Sequence, residues 1–307
     1  MNESFLSLPS FAKINLGLKI LGRRVDGYHE IDTLLQTVSL HDDLRFSLRQ
    51  DPLITLSCDS PDIPTDNSNL IVRAALALRA LAPGVPGVDV HLTKKIPPKG
   101  GLGGGSSNAA VALLALRFLW NVKVGVKELQ RMAEDLGSDV PFFLIGGLAR
   151  GVGTGKDVLP LQDTAKKWLI IITPNAAVST QSAYAALKAR SLTTSGSTSI
   201  LSSSFTVPDA ESSVQWALQN DFERVIFEIE PEIERAKLAL LETGATGGLL
   251  TGSGSSVFGI FPGEDAQERA LASLKCEAGW RIFACDTMSR DEYCNTLSSS
   301  GFPLLSS

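Results

Sequence analysis

The sequence predicts an α+β fold in two domains, and three observations lead to that prediction. The chain has 307 residues, which is long enough to form two hydrophobic cores. Strand patterns and helix patterns follow one another in mixed order, not in repeated strand–helix–strand units. The character of the sequence changes around residues 159–167, just before a buried-strand pattern at 168–173. We therefore expect an N-terminal domain of residues 1–160 and a C-terminal domain of residues 161–307.

The N-terminal half contains three strand patterns, a helix and a further strand before its most unusual segment. The alternation of apolar residues predicts strands over residues 11–21, 33–40, 43–48 and 88–92. An apolar stripe at helical spacing predicts a helix over residues 69–81, with Asn67 and Ser68 as its cap. Further helices are expected at 109–120 and at 126–136, where Gly137 ends the second, and a short one starts at 138–141.

The C-terminal half has its own mixture of elements. The patterns predict strands at 168–173 and 280–285, a strand–turn–strand unit at 249–261, and helices at 210–218, 222–229, 231–242 and 265–274. Residues 191–204 are rich in Ser and Thr and are expected to form a mobile loop. The tail after Asn295 is expected to be frayed.

Composition excludes several classes of protein. The chain is 44% hydrophobic and 20% charged, with a net charge of −5, so a nucleic-acid partner is not expected. Its four cysteines lack the spacing of a zinc site and are expected to be reduced thiols. The uncharged run 243–262 carries six glycines, which favours strand and turn over a membrane span. We expect a cytoplasmic protein with no signal peptide and no membrane partner.

A glycine-rich run at residues 100–108 (GGLGGGSSN) is the strongest functional signal. Glycines let the backbone curl tightly so that several N–H groups meet one ligand, and the dipole of the following helix favours an anion there. Ser106, Ser107 and Asn108 are expected to add N-cap chemistry and side-chain donors. The run therefore predicts a phosphate-binding loop.

Two better-known phosphate loops do not fit this run. It lacks the lysine of a Walker A loop, and residues 151–157 (GVGTGKD) have a lysine at the wrong spacing. Ser106 occupies the sixth place of the dinucleotide-binding pattern that would begin at Gly101, where a glycine is required. A flexible linker is the structural alternative, but linkers rarely separate an alternating strand from an apolar helix.

Three sequence blocks resemble those of the GHMP kinase family, in the same order along the chain. They are residues 11–16 (FAKINL), 98–108 (PKGGLGGGSSN) and 250–258 (LTGSGSSVF). The segments 26–30 (DGYHE), 136–141 (LGSDVP) and 220–223 (NDFE) resemble a branch of the family that acts on a cytidine diphosphate alcohol. The resemblance covers about residues 10–286. It implies an N-terminal ribosomal-protein-S5-like domain, a C-terminal ferredoxin-like α/β sandwich, and an active site in the cleft between them.

The resemblance also implies an activity. The protein would use ATP to phosphorylate the 2-hydroxyl of the methylerythritol unit of the cytidine diphosphate alcohol, in the non-mevalonate route to isoprenoid precursors. ATP would arrive with Mg²⁺, for which the Ser106 and Ser107 hydroxyls are candidate ligands, and no tightly bound protein metal is implied. ATP and the alcohol are the expected partners, and the protein is expected to be a monomer or a weak homodimer.

By this resemblance Lys13 and Asp139 form the catalytic pair. A carboxylate can accept the proton of an alcohol as the new P–O bond forms, and a nearby lysine neutralises charge on the transferring phosphoryl group. From the residues by themselves, Asp139 is equally plausible as a helix-start residue, and Lys13 as a solvated surface lysine.

The resemblance assigns the binding residues in two groups. The ATP group comprises Pro98, Gly100, Gly101, Leu102, Gly103, Gly104, Gly105, Ser106, Ser107 and Asn108, with Asn69, Leu70 and Ile71 lining the adenine pocket. The substrate group comprises Asn15, Tyr28, His29, Tyr184, Gly252, Ser253 and Gly254. Tyr28 or Tyr184 would stack on cytosine, and His29 would hydrogen-bond to it; packing of Tyr28 on its own domain is the alternative.

Two other functions are compatible with these residues. One is a GHMP kinase that acts on mevalonate, homoserine or a sugar instead. The other is a nucleotide-binding module without catalysis, which would tolerate loss of Lys13 or Asp139.

Overall fold

The structure is a computed structural model that describes residues 5–25, 27–176, 178–193 and 218–298. It contains two sheets with helices packed against them, which confirms the predicted α+β class. The predicted boundary between residues 160 and 161 lies directly after a strand of the first sheet that ends at Pro160. The first strand of the second sheet begins at Trp168. That boundary stays a prediction.

The larger sheet has seven strands among the described residues. They are β1 (Leu6–Arg23), β2 (His29–Leu48), β3 (Ile54–Cys58), β4 (Val88–Thr93), β5 (Leu148–Gly153), β6 (Asp157–Pro160) and β8 (Gln219–Asn220). The order is β3-β4-β2-β1-β8, with β5 paired to β2 and β6 to β5. The glycine-rich segment 151–157, which has a lysine at the wrong spacing for a Walker A loop, forms the turn that connects β5 and β6 into a hairpin.

The long strand β2 replaces two predicted strands. Its register against β1 shifts between the pairs Phe11–His41 and Ala12–Val38, which leaves two extra residues on β2. This bulge interrupts the alternation of apolar residues, and so the sequence pattern resembled two strands with a break. On its other side, β2 has two different neighbours. Its residues 31–36, before the bulge, pair with β5, and its residues 43–48, after the bulge, pair with β4.

The helices of this half are α1 (Leu70–Leu81), α2 (Gly104–Leu119) and α3 (Val126–Leu136), followed by a 3₁₀ helix at Pro141–Leu144. The predicted cap of α1 was wrong by one residue. Asn69 is the N-cap, and its side-chain oxygen accepts a hydrogen bond from the Ile71 N–H at 2.9 Å. Ser68 belongs to the preceding turn, where its N–H donates to Asp66.

The second sheet is antiparallel, in the order β11-β7-β10-β9. Its strands are β7 (Trp168–Thr173), β9 (Gly247–Leu250), β10 (Val257–Phe261) and β11 (Arg281–Asp286). With the helices between β7 and β9 and between β10 and β11, this is the strand–helix–strand–strand–helix–strand arrangement of ferredoxin-like domains.

The helices of the C-terminal half are α4 (Thr180–Thr193), α5 (Glu223–Ile229), α6 (Pro231–Glu242), α7 (Glu264–Ser273) and α8 (Arg290–Ser298). The sequence analysis missed α4. The prediction of a frayed tail after Asn295 was wrong up to Ser298, because α8 extends to that residue and buries Leu297 completely. Residues 194–204 of the predicted loop and 210–217 of the predicted helix lie outside the described residues.

A buried apolar cluster joins the two sheets. Ile14, Leu34 and Leu102 pack with Ile171 and Phe258 of the second sheet. Full burial of one such side chain stabilises a protein by roughly 1.5–3 kcal/mol, so this cluster holds the walls of the cleft between the sheets together. In the described part of the chain, no helix has the length and apolar character needed to cross a membrane.

Candidate active site

The glycine run forms the turn that leads from a loop into α2. Gly103 precedes the helix in the left-handed region, at φ 70°. A Cβ there would lie 2.9 Å from Phe143 Cζ and 3.0 Å from Lys13 Cγ, so only glycine fits. The predicted N-cap role of Ser106, Ser107 and Asn108 was wrong: Gly103 is the N-cap, without a side-chain cap bond, and the helix starts at Gly104. The first N–H groups of α2 are therefore left for a ligand.

The polar residues at the start of α2 differ in accessibility. Ser107 is fully buried, and its hydroxyl accepts a hydrogen bond from the Ser10 hydroxyl at 2.7 Å. Asn108 is also buried, and its Oδ1 has no hydrogen-bond partner within the described residues. Ser106 is half-buried, and it is thus the more accessible of the two serines. Gly105 faces open space, since a Cβ there would meet nothing within 4 Å.

The third sequence block packs directly on the glycine run. The Thr251 hydroxyl lies 3.1 Å from the Gly101 carbonyl oxygen and 3.2 Å from Asn15 Oδ1, so one hydrogen is shared between two acceptors. The Ser256 N–H donates to the Gly100 carbonyl at 3.1 Å. A Cβ on Gly101 would approach the Thr251 carbonyl oxygen to 2.1 Å. This close approach requires glycine and fixes the loop against the C-terminal half of the chain.

Lys13 and Asp139 meet in the cleft although they are far apart in sequence. Lys13 Nζ lies 3.6 Å from Asp139 Oδ2 and donates to Asn15 Oδ1 at 2.7 Å. The Asn15 amide in turn donates to the Thr33 hydroxyl at 2.7 Å. The Lys13 side chain is 4% exposed, whereas the Asp139 side chain is 37% exposed. The lysine is thus held from behind, and the carboxylate faces the open cleft.

Asp139 is positioned by the segment between α3 and the 3₁₀ helix. The helix α3 ends before Gly137, and the Val140 N–H donates to the Gly137 carbonyl at 3.2 Å. Pro141 then begins the 3₁₀ helix, as the sequence predicted. Phe143 of that helix supplies the ring that packs against Gly103. The Asp139 segment and the glycine run are therefore in direct contact.

Aromatic rings form one wall of the cleft, which we call the aromatic wall. His29 and Tyr184 are stacked, with ring centroids 4.2 Å apart and an interplanar angle of 14°. Phe222 packs edge-on against Tyr184 at 4.9 Å. Tyr28 is 67% exposed, so packing on its own domain does not account for it.

Burial sets the protonation of this wall. It lowers the pKa of His29, and Arg23 lowers it further, so the ring is neutral at pH 7. Burial raises the pKa of Tyr184 to about 12, with a smaller contribution from the charge of Asp139. The neutral imidazole keeps one donor and one acceptor nitrogen, which suits it to hydrogen bonding with a base.

The cleft has a volume of about 790 Å³ and collects most of the predicted substrate residues. The predicted residues that line it are Lys13, Asn15, Tyr28, His29, Gly101, Asp139, Tyr184, Gly252 and Ser253. Gly254 lines an adjoining cavity of about 420 Å³, together with Lys99 and Gly101. Asn69, Leu70 and Ile71 are not among the described residues that line either cavity: Asn69 caps α1, and the Ile71 side chain belongs to the core.

Sequence reasoning missed several residues of the cleft. Thr33, Thr180, Gln181, Arg24 and Lys156 also line it. Thr180 and Gln181 are the first residues of helix α4, which the sequence did not predict. Lys156 lies in the hairpin turn whose sequence does not fit a Walker A loop. Thr251 could have been identified from the sequence, because it directly precedes the glycines of the third block.

Comparison with known proteins places the chain in a family. The family model described as GHMP kinases N terminal domain matches residues 69–147, and the model described as GHMP kinases C terminal matches residues 208–279. The chain belongs to the GHMP kinase family, whose members use ATP as co-substrate.

Within this family the chain is similar to 4-diphosphocytidyl-2-C-methyl-D-erythritol kinases. The protein of that name from Prosthecochloris aestuarii is 39% identical over 283 residues, which cover 88% of this chain and 93% of the relative. The one from Geobacter sulfurreducens is 36% identical over 92% of this chain and 99% of the relative.

Solved structures agree with this placement. A crystal structure of 4-(cytidine 5'-diphospho)-2C-methyl-D-erythritol kinase matches with a TM-score of 0.77 and 32% identity, covering 92% of this chain and 99% of that chain. The mevalonate kinase of Methanococcus jannaschii matches with a TM-score of 0.67 and 13% identity, over 94% of this chain and all of that chain. The second likeness is one of fold.

Proposed function

We propose that this protein is a kinase that transfers the γ-phosphoryl group of ATP to the 2-hydroxyl of 4-diphosphocytidyl-2-C-methyl-D-erythritol, giving the 2-phosphate and ADP. The observation that carries the proposal is the meeting of Lys13 Nζ and Asp139 Oδ2, 3.6 Å apart, between the glycine run and the aromatic wall. The relatives named for this reaction, at 36–39% identity over most of the chain, support the choice of substrate. The product belongs to the non-mevalonate route to isoprenoid precursors.

Asp139 and Lys13 divide the chemistry between them. The exposed Asp139 carboxylate accepts the proton of the 2-hydroxyl while that oxygen attacks the γ-phosphorus. Lys13, held by Asn15, lies beside this carboxylate and offsets the negative charge that develops on the transferring group. Asn15 and Thr33 hold the lysine in place from behind.

ATP binds along the glycine run. The first N–H groups of α2 and the positive end of its dipole attract the phosphates. The predicted adenine contact of residues 69–71 does not extend to the Ile71 side chain, which is buried in the core. Mg²⁺ enters with ATP as part of the co-substrate. The half-buried Ser106 hydroxyl is a hard oxygen donor that fits such an ion, whereas the Ser107 hydroxyl is already bonded to Ser10.

The aromatic wall recognises the cytosine of the acceptor. Neutral His29, held flat against Tyr184, presents ring nitrogens to the base, and the exposed Tyr28 ring can cover the base from the solvent side. Base–aromatic stacking contributes roughly 1–3 kcal/mol. We further propose that the two domains are residues 1–160 and 161–307, and that the protein is a monomer or a weak homodimer.

An ADP-release assay tests the proposal. The purified protein is given ATP with the cytidylyl alcohol, mevalonate or homoserine, each with and without Mg²⁺. We expect ADP release with the cytidylyl alcohol and Mg²⁺ only. Turnover of mevalonate or homoserine instead would show that the acceptor is wrong. ATP binding without turnover of any acceptor would favour a nucleotide-binding module.

A further inference from the structure

A buried amide lies behind the aromatic wall of the cleft. Asn220 is 5% exposed and belongs to the two-residue strand β8, which pairs in parallel with Gly17 and Leu18 of β1. Its Nδ2 donates to the Leu250 and Gly252 carbonyl oxygens, both at 2.8 Å. Its Oδ1 accepts from the Phe222 N–H at 3.0 Å. Both donor hydrogens of the amide are therefore used, and its oxygen is engaged as well.

The two donated bonds fix the turn of the third sequence block. Leu250 ends β9, and Gly252 follows in the left-handed region at φ 59°. A Cβ on Gly252 would lie 3.4 Å from Gly101 Cα and 3.6 Å from Asn15 Oδ1. The position of this turn relative to the end of β9 therefore determines how closely Gly252 and Ser253 approach the centre of the cleft.

The accepted bond fixes the aromatic wall. It holds the backbone of Phe222, whose ring packs edge-on against Tyr184, and Tyr184 stacks on His29. One side chain thereby holds two separate surfaces that face the acceptor. Asn220 is not among the described residues that line the cleft, so it acts through these neighbours.

We propose that Asn220 is a positioning residue for the acceptor alcohol: its amide holds the Gly252–Ser253 turn and the Phe222–Tyr184–His29 rings at one fixed separation. This inference rests on the proposed function, which assigns those surfaces to the cytidylyl alcohol. It predicts that a fault at Asn220 affects the acceptor rather than ATP.

The test uses the isosteric change Asn220→Asp, which turns the two donors into an oxygen that faces two carbonyl oxygens, and Asn220→Ala, which removes the donors without adding charge. Gln219→Glu is the matched control. It makes the same amide-to-carboxylate change in the neighbouring residue of β8, whose amide donates to Asp221 and not to the turn. KM for each substrate, kcat and the thermal unfolding temperature are measured for all three variants and for the wild type.

We expect KM for the cytidylyl alcohol to rise at least tenfold in both Asn220 variants while KM for ATP stays within twofold. Both KM values should stay within twofold in Gln219→Glu. Unchanged KM values, equal changes for both substrates, or a lower unfolding temperature with unchanged KM would overturn the inference and leave the proposed function standing. Failure of both variants to fold would also overturn it, by making Asn220 a determinant of the fold. A wild type inactive on the cytidylyl alcohol would overturn the proposed function, and the inference with it.

Discussion

Two lysine–aspartate pairs in the N-terminal half of the chain differ in almost every physical respect. Lys94 Nζ lies 2.7 Å from Asp42 Oδ2, and both side chains are buried. The other oxygen of Asp42 accepts from the Lys95 N–H at 2.8 Å and from the Ile96 N–H at 2.7 Å. Lys13 and Asp139 are 3.6 Å apart, and the aspartate is more than a third exposed.

The difference separates a structural pair from a reactive one. Both carboxylate oxygens of Asp42 are hydrogen-bonded, and these bonds hold the segment that leads into the glycine run. Ile96 of that segment packs on Gly104, the first residue of α2. Burial lowers the pKa of Lys94, and the charge of Asp42 opposes that shift. Asp139 instead keeps an open side toward the cleft, where a hydroxyl can reach it. The shorter and better-bonded pair is therefore the one that cannot do chemistry.

The largest effect should follow from Asp139→Asn. An amide cannot accept the hydroxyl proton, and loss of a general base typically lowers kcat by about 10²–10⁴-fold. Since the side chain is exposed and its ion pair is long, the thermal unfolding temperature and ATP binding should change little. ADP release and thermal unfolding measure the two effects. A variant that phosphorylates the acceptor at nearly the wild-type rate would show that Asp139 is not the base.

The sequence predicted only the Lys13–Asp139 pair, and only through the blocks that resemble those of the GHMP kinase family. Lys13 and Asp139 are 126 positions apart, and nothing in periodicity or spacing brings them together. The sequence pattern did not reveal Asp42, because it lies just beyond the bulge of β2, where the alternation breaks, and its partner Lys94 is 52 positions away. A buried ion pair between residues that are far apart in sequence depends on which strands are neighbours in the sheet, and that order is a property of the folded chain.

The next effect in size concerns Asp42→Leu. This change leaves the buried Lys94 ammonium without a counter-charge, and removal of one partner of a buried pair costs about 3–5 kcal/mol. Urea unfolding of the variant measures the loss. The double variant Asp42→Leu/Lys94→Met removes both charges and should recover much of it. A loss below about 1 kcal/mol in the single variant would contradict the structural role of this pair.

Local pattern was a good guide to some elements and a poor guide to others. The predicted bounds of α3 and β7 agree with the structure, because a regular amphipathic stripe and a short apolar run are both local properties. The helix α4 was missed because its sequence, with Thr180 and Ser182 in the first turn, has no clear apolar stripe. It is held in place by contacts such as that of Tyr184 with Phe222, which connects residues 38 positions apart.

A smaller effect should appear as coupling between Lys13 and Asp139. If the lysine acts through the carboxylate, Lys13→Met and Asp139→Asn remove parts of one unit, so their effects should not add. Residues in contact show interaction energies of about 0.5–3 kcal/mol. We expect the double variant to have a kcat only slightly below that of Asp139→Asn. Measured kcat values of the four proteins of the cycle check this, and additive losses would mean that the two residues act independently.

The smallest effect should come from the pair next to Asp42. Lys95 Nζ lies 2.7 Å from Asp43 Oδ2, the same distance as in the Lys94–Asp42 pair, but both side chains are largely exposed. Exposed ion pairs contribute about 0–1 kcal/mol because water and salt screen the charges. Asp43→Asn should therefore change the free energy of unfolding in urea by less than about 1 kcal/mol and leave KM for ATP unchanged. A loss as large as that of Asp42→Leu would show that distance, and not burial, decides the strength of these pairs.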